Sequence, residues 1–508
     1  MTDKNITKSL NFSIIDGAFS AVMGSLAGGI FLTGFALNVL KAQASQIGVL
    51  AALPMFANLV QIFGSYIIEK TGKKKSLCFF SLVLSRLLWI FIIILPLGIF
   101  STLSDWRIWI LVGVIAISSL FGSLSGVAWL AWMSELVPEN TRGSYFGKRN
   151  MIASACGMVA ILLGGKFLTS WQTRFGEDSP FGFIIIFIIG LFAGILATWF
   201  LARIPETGTG KGNNGQELGF SAFLKPLKDK NFLKLIIFAS AWMFAIQIAA
   251  PFYGVFMIEN LKIDFTAITI FGTFATFATL FMMKIWGPIS DKLGNKPIII
   301  VSGAVLILVP FIWILALPGN FYIPVMTAHI LSGAFMAGAM LSQFNIMIKL
   351  SPVEGRSIYL ALFAAISGTA GAVAPVIGGI LSGMLEAVNF QFFSYNVTNL
   401  QVIFLISAVL QAVTLLFILK IKEPSASTPV AVIMQLKNDL NPQAGITGGT
   451  DFIMIELKKT EGILKRLDKA TDDLADKSHE KVSRALDKTD NLVKKPIDKL
   501  KDFFGKDD

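Results

Sequence analysis

Apolar residues along this chain gather into twelve long runs separated by short polar stretches, a pattern unlike the alternating or striped faces of a soluble domain. A helix of roughly 20 apolar residues crosses a hydrocarbon core of about 30 Å. The runs predict spans one to twelve at Asn11–Leu40, Gln46–Ile68, Ser76–Phe100, Arg107–Met133, Tyr145–Ser170, Pro180–Ala202, Phe232–Ile258, Phe265–Trp286, Pro297–Leu317, Phe321–Lys349, Ile358–Leu385 and Val397–Ile421. Basic residues cluster in the loops after even-numbered spans, at Lys70, Lys73, Lys74 and Lys75, at Arg142, Lys148 and Arg149, from Arg203 to Lys234, at Lys292 and Lys296, and at Lys349 and Arg356. The other loops hold only Lys41, Arg107, Arg174 and Lys262. The positive-inside rule then places both termini in the cytoplasm of a cell-membrane protein.

One loop signature occurs twice. Ser65-Tyr66-Ile67-Ile68-Glu69-Lys70-Thr71-Gly72-Lys73-Lys74 follows span two, and Gly287-Pro288-Ile289-Ser290-Asp291-Lys292-Leu293-Gly294-Asn295-Lys296 follows span eight. A second pair, Pro138-x-x-x-Arg142-Gly143-x-Tyr145 and Pro352-x-x-x-Arg356-Ser357-x-Tyr359, recurs at an offset of 214, which also carries Gly157 onto Gly371 and Gly164-Gly165 onto Gly378-Gly379. The chain therefore reads as a duplicated six-span unit: residues 1–203, a linker at 204–230, residues 231–421, and a charged tail at 422–508.

On these residues the chain resembles the major facilitator superfamily over about residues 9–421. The second copy fits that family's G-x-x-x-D-x-x-G-x-[RK] loop motif; the first departs from it with Ser65 and Glu69. The resemblance implies an all-α fold of two pseudo-symmetric six-helix bundles that rock about a central site by alternating access. It also implies gating roles for Ser65, Glu69, Gly72, Gly287, Asp291 and Gly294, with Glu69 facing the start of span eleven near Arg356 and Asp291 facing the start of span five near Arg142. The bland reading of both acids is that they only interrupt basic loops. Ala374-Pro375-x-x-Gly378-Gly379 resembles an element of drug/proton antiporters, but that element belongs in span five, where this chain has no proline; this counts against a multidrug exporter.

Charges inside spans cost a few kcal/mol each, so each is a candidate site. Asp16 in span one and Arg86 in span three sit at similar depth with opposite sign, which predicts a direct or water-bridged pair. Either Asp16 carries a proton or a cationic group while Arg86 tunes its acidity or binds an anion, or the two form a fixed structural pair. Glu135, at the inner end of span four, reads as a gate or loop partner. The resemblance implies that spans one, four, seven and ten line the cavity, which singles out Asn38, Ser119, Ser123, Trp242, Gln247, His329, Gln343 and Asn345. Trp242 and Gln247 would suit a solute of mixed polarity. His329 is either proton-linked or merely hydrogen-bonded.

Composition narrows the function. Mean hydropathy is +0.69, and only 15% of residues are charged. The net charge of +11 lies in the membrane part, because 14 basic residues of the tail balance 14 acidic ones from Asp451 on; it marks topology and not nucleic-acid binding. With two histidines, two cysteines inside or at the edge of spans, and no phosphate-binding loop or metal-ligand spacing, enzyme chemistry, cofactors and metals are not expected. Residues 424–450 read as a linker with one apolar patch, and 451–508 as amphipathic helices for the inner membrane surface or a cytoplasmic partner, or as a solvated tail. The expectation is a monomeric secondary transporter for a small organic solute, coupled to protons and bathed in lipid. The alternatives are a carrier-fold sensor or scaffold acting through the tail, and a lipid or amphiphile flippase.

Overall fold

The computed structural model describes residues 3–97, 106–138, 141–206, 226–352, 356–385, 390–392, 395–424 and 426–440. The side chains of Glu69 and Arg142, most of the linker and the tail from residue 441 lie outside the described residues. Contacts divide the chain into a unit Met1–Ile433 and a unit Met434–Asp508. The apolar patch after span twelve is helical, within Pro429–Asp439.

All twelve expected spans are helices: Ile6–Val39, Ala44–Ile68, Lys74–Ile94, Arg107–Leu136, Ser144–Phe175, Pro180–Ala202, Lys230–Asn260, Phe265–Leu293, Lys296–Ile314, Tyr322–Leu350, Ile358–Met384 and Asn399–Ile418. Their outer faces carry large apolar side chains such as Phe63, Leu163, Phe192 and Phe281, all more than half exposed, as lipid contact requires. Spans one and seven end alike. Each closes in a π turn, Phe35–Val39 or Phe256–Asn260, then a left-handed lysine, Lys41 or Lys262. The same wide bond follows in both, Ala42 N–H to Ala36 and Ile263 N–H to Met257. An antiparallel hairpin, Phe390–Phe392 with Tyr395–Val397, is the one element outside the all-helical expectation among the described residues.

The duplication governs the packing. In the first half, span one packs on five and six, three on four and six, and two on four. In the second, seven packs on eleven and twelve, nine on ten and twelve, and eight on ten. The two halves meet through spans two and eleven and through five and eight, contacts that the pseudo-twofold exchanges.

Small residues make these approaches possible, since lipid leaves helix association to close packing. A Cβ on Gly48 would stand 2.3 Å from the Pro375 carbonyl oxygen, and one on Gly379 2.8 Å from Ser45 Cα. Across spans five and eight, a Cβ on Gly165 would stand 2.4 Å from Thr269 Oγ1, while Thr169 donates to Asp264 at 3.3 Å. The ring of Phe265 from the second half seats against Phe31 and Phe183 of the first, over Gly34. All of these contacts lie toward the face opposite the basic loops. Toward the basic face, span two turns away: Ala44–Ala57 packs on span eleven, whereas Gln61–Thr71 packs on span four. Among the described residues the halves are thus in contact at one face and parted at the other.

Replacing Gly48 by valine should force the closed face apart. A cysteine placed at Ser45 in that background should react severalfold faster with a membrane-impermeant maleimide than the same cysteine beside Gly48. Equal rates would show that the Gly48–Pro375 contact does not hold this face shut.

Candidate functional site

The second loop signature is built as a clasp within its own half. Gly294 ends span eight at φ +86 and lies against Ala426, where a Cβ would approach to 3.1 Å. Asn295 and Lys296 then present backbone N–H groups to the Glu423 carboxylate at 3.0 and 2.7 Å, joined by Asn295 Nδ2 at 3.0 Å and Lys349 Nζ at 3.1 Å. Ser290 donates to Asn295 Oδ1 at 2.7 Å and accepts from Asn345 Nδ2 at 3.1 Å. Asn345 therefore belongs to this clasp near the basic face and not to a midplane pocket. Burial raises the Glu423 carboxyl, but the Lys296, Asn295 and Lys349 donors outweigh it and hold the group below its ordinary range.

Asp291 is exposed and makes no ion pair with a described residue. The Nε of Arg356 is buried without a hydrogen-bond partner among the described residues. Gly287 has no neighbour near its Cβ position. In the first copy, Gly72 ends span two in the left-handed region at φ 68, and Ser65 is exposed. Glu135 pairs with Lys74 at the start of span three, inside the first half.

Two buried charges of the first half and a half-buried one form a trio. Asp16 is 3% exposed and Arg86 5%. The Ser20 hydroxyl stands between them, donating to Asp16 Oδ1 at 3.3 Å and accepting from Arg86 Nη2 at 3.0 Å. The ion partner of Asp16 is Arg149 of span five, Nη2 to Oδ2 at 3.4 Å. Arg149 also donates to the Ser13 carbonyl at 3.2 Å and lies 4.2 Å over the Trp129 ring. Gly17 makes room for it, since a Cβ there would meet the guanidinium carbon at 2.8 Å. The second Arg86 nitrogen is spent on the Gly194 carbonyl and Thr198. One acid thus faces two bases. Among the described residues the second half holds no equivalent: the offset of 214 carries Tyr145 and Arg149 onto Tyr359 and Phe363, which pack on Phe232 at 4.7 and 6.4 Å between ring centres.

Next to the trio, between spans one, five and eight, lies a cavity of about 520 Å³. Ser25, Asn150, Ser154, Thr273 and Thr276 supply its polar wall. Ala21 follows Ser20 and Asn150 follows Arg149, so wall and trio share two helix segments. Sequence reasoning passed over these residues. The signal lay in the spacing of Thr266, Thr269, Thr273, Thr276 and Thr279, one polar stripe along a helix that otherwise reads as lipid-facing.

The other expected cavity residues separate. Trp242 is buried in the second half, stacked on Phe238 and touching the Gly303 position of span nine. His329 sits between the Phe271 and Trp313 rings, with Nδ1 bonded to the Val325 carbonyl at 2.8 Å. Gln247 alone of these reaches across the halves, Nε2 to Met55 Sδ at 3.3 Å. Ser123 donates to Asn58 at 3.1 Å, in a small polar group with Gln61.

The profile of the Major Facilitator Superfamily matches residues 16–256 and again 241–442. Among curated proteins, the "Putative proline/betaine transporter" of Staphylococcus aureus (strain COL) is 21% identical over 220 residues, 41% of this chain and 45% of that protein. The chain thus spans under half the length of the curated relatives it matches. Among solved structures, a mutant of the nucleoside transporter NupG superposes with a TM-score of 0.64 at 17% identity, over 82% of this chain and all of that one. A D-xylose-proton symporter gives 0.60 at 13% identity, over 83% and 98%. A bacterial homologue of ferroportin in its inward-facing state gives 0.59 at 13%, over 83% and 99%. At these identities the structures share the fold.

Removing Arg149 leaves the buried Asp16 carboxylate only the Ser20-bridged Arg86, so the cost approaches but does not exceed the about 3–5 kcal/mol of an unpaired buried charge. Arg149→Gln should therefore unfold well below wild type in a detergent melt, and Asp16→Asn/Arg149→Gln should recover part of the loss. A double variant no more stable than Arg149→Gln would refute the pairing. A second expectation concerns acid. The depressed Glu423 carboxyl contributes stability that is complete above the ordinary glutamate value, about 4.3, and lost as pH falls through its lower folded value. Between pH 6 and 3.5 the wild type should lose more of its unfolding temperature than Glu423→Gln; parallel curves would show that the clasp is not ionised.

Proposed function

The chain belongs to the Major Facilitator Superfamily, and from that premise we propose that it carries a small organic solute by alternating access, coupled to protons through Asp16. It is an integral, multi-pass membrane protein of a family that transports solutes. The observation that supports the coupled reading is the position of the Asp16–Ser20–Arg86–Arg149 group, one residue along two helices from a polar cavity that both halves enclose.

The chemistry follows from the excess of base over acid. Arg149 is held by Asp16 through a single bond at 3.4 Å. A proton on Asp16 cancels that ion pair and releases positive charge beside Asn150 and Ser154, where an acceptor oxygen of the solute can take it up. Solute and carboxylate compete for one guanidinium, so protonation favours binding and binding favours protonation. By linkage the two are reciprocal, which is the thermodynamics of symport.

Access is supplied by the packing. With the basic loops in the cytoplasm, the parted face opens the cavity inward while Phe265, Gly48 and Gly379 seal the other side. Return to the outward-open state would part those contacts and bring the two loop signatures toward spans five and eleven. The proline/betaine, nucleoside and xylose carriers named above all move small polar solutes, which fits a wall of hydroxyls and an amide.

Proteoliposomes with an inward proton gradient test this against pooled amino acids, betaines, sugars and nucleosides. Wild type should accumulate one class above equilibrium. Asp16→Asn should still exchange that solute down its own gradient while failing to accumulate it. Accumulation by Asp16→Asn equal to wild type would sink the coupling role.

A further inference from the structure

A concave apolar groove of about 630 Å³ runs down the lipid side of the second half where spans seven, eleven and twelve meet. Its wall on span seven is the stripe Leu233, Ile236, Ile237, Ser240, Ala241 and Phe244, and on span twelve Leu410, Val413, Thr414 and Phe417. Ile237 and Val413 are about half exposed, so the groove opens outward to lipid and not toward the solute cavity. From Leu233 to Phe244 it descends about 16 Å at 1.5 Å per residue, half of a hydrocarbon core of about 30 Å. That is the depth of one leaflet.

Both stripes continue, at the basic face, into lysines. One turn beyond Leu233 the span-seven stripe reaches Lys230, and one turn beyond Phe417 the span-twelve stripe reaches Lys420. The two ends are tied together. Asn231 donates to the Lys422 carbonyl at 2.8 Å and accepts from the Lys422 N–H at 2.9 Å. This clasp holds Lys228, Lys230, Lys420 and Lys422, all exposed, around one mouth. The nearby acids are already engaged. Asp229 caps span seven through the Asn231 and Phe232 N–H groups, and Glu423 is held by Asn295, Lys296 and Lys349.

We infer that this groove is a binding site for an anionic phospholipid of the basic-face leaflet, with the headgroup phosphate among the clasped lysines and an acyl chain between Ile237 and Val413. The groove supplies shape and the lysines supply sign, so the site selects a lipid that carries net negative charge. Because the lipid bridges the start of span seven and the end of span twelve, it also braces the second half where Glu423 and Lys349 meet the loop signature.

Native mass spectrometry of the full chain, exchanged from detergent into equal phosphatidylglycerol and phosphatidylcholine, reads the selection directly. Wild type should retain phosphatidylglycerol in about thirtyfold preference, from two lysines each contributing about 1 kcal/mol against an anionic headgroup. Lys230→Gln/Lys420→Gln should lower the ratio severalfold, and adding Lys228→Gln/Lys422→Gln should bring it near one. Val413→Trp, which fills the groove and leaves the lysines, should lower total retention. Lys70→Gln/Lys73→Gln removes the same charge from the first loop signature and should leave the ratio unchanged. Equal retention of the two lipids by wild type, or an equal loss from the Lys70/Lys73 variant, would overturn the site; the second result would mean that basic-face charge alone attracts the lipid.

Discussion

Helices in a bilayer gain nothing by hiding apolar surface from one another, because lipid is as apolar as leucine. What holds this protein together is therefore the closeness that small residues permit. Gly48 against the Pro375 carbonyl, Gly378 against the Ile248 carbonyl and Gly333 against the Ala275 carbonyl each bring two backbones nearer than any Cβ would allow. The first joins the halves; the others join spans within the second half. The closed face, the cavity beneath it and the seat of Phe265 all follow from that spacing.

The halves share a packing plan but not a chemistry. Where span five meets span one, Tyr145 and Arg149 lie beside Ser13 and Asp16; where span eleven meets span seven, Tyr359 and Phe363 lie on Phe232. One half keeps its polar core, which is expensive in lipid and suited to carrying charge. The other packs Tyr359 and Phe363 on Phe232, with no acid–arginine pair among them. The aromatic half instead anchors its loop signature through Glu423. The charged cluster of the first half and the aromatic cluster of the second make the two halves chemically asymmetric, although their packing follows one plan.

That asymmetry connects the cavity to the loops. The polar wall of spans one, five and eight draws on both halves. Its neighbour Arg149 feels the protonation of Asp16. The inter-half cavity and the charged cluster of the first half thus adjoin at Asn150 and Ser154, four residues apart on one face of span five.

Twelve spans, their duplication, the loop signatures and both buried charges of the first half, Asp16 and Arg86, were legible in the amino-acid order alone. Long apolar runs leave a chain no alternative to spanning the membrane, and a charge inside such a run stands out whatever surrounds it, as Asp16 and Arg86 do. Arg149 was hidden because it follows the loop and counts with the topological bases; only the packing of span five on span one, over Gly17, turns it inward. Trp242 and His329 sit at cavity-like depths yet point into the second half, since depth is linear in sequence and facing is not. The threonine stripe of span eight, the Ser20 bridge and the Asn231–Lys422 clasp required the tertiary structure for the same reason. Each depends on which helix faces is brought together with which, and lipid, unlike water, does not sort apolar faces by sequence pattern.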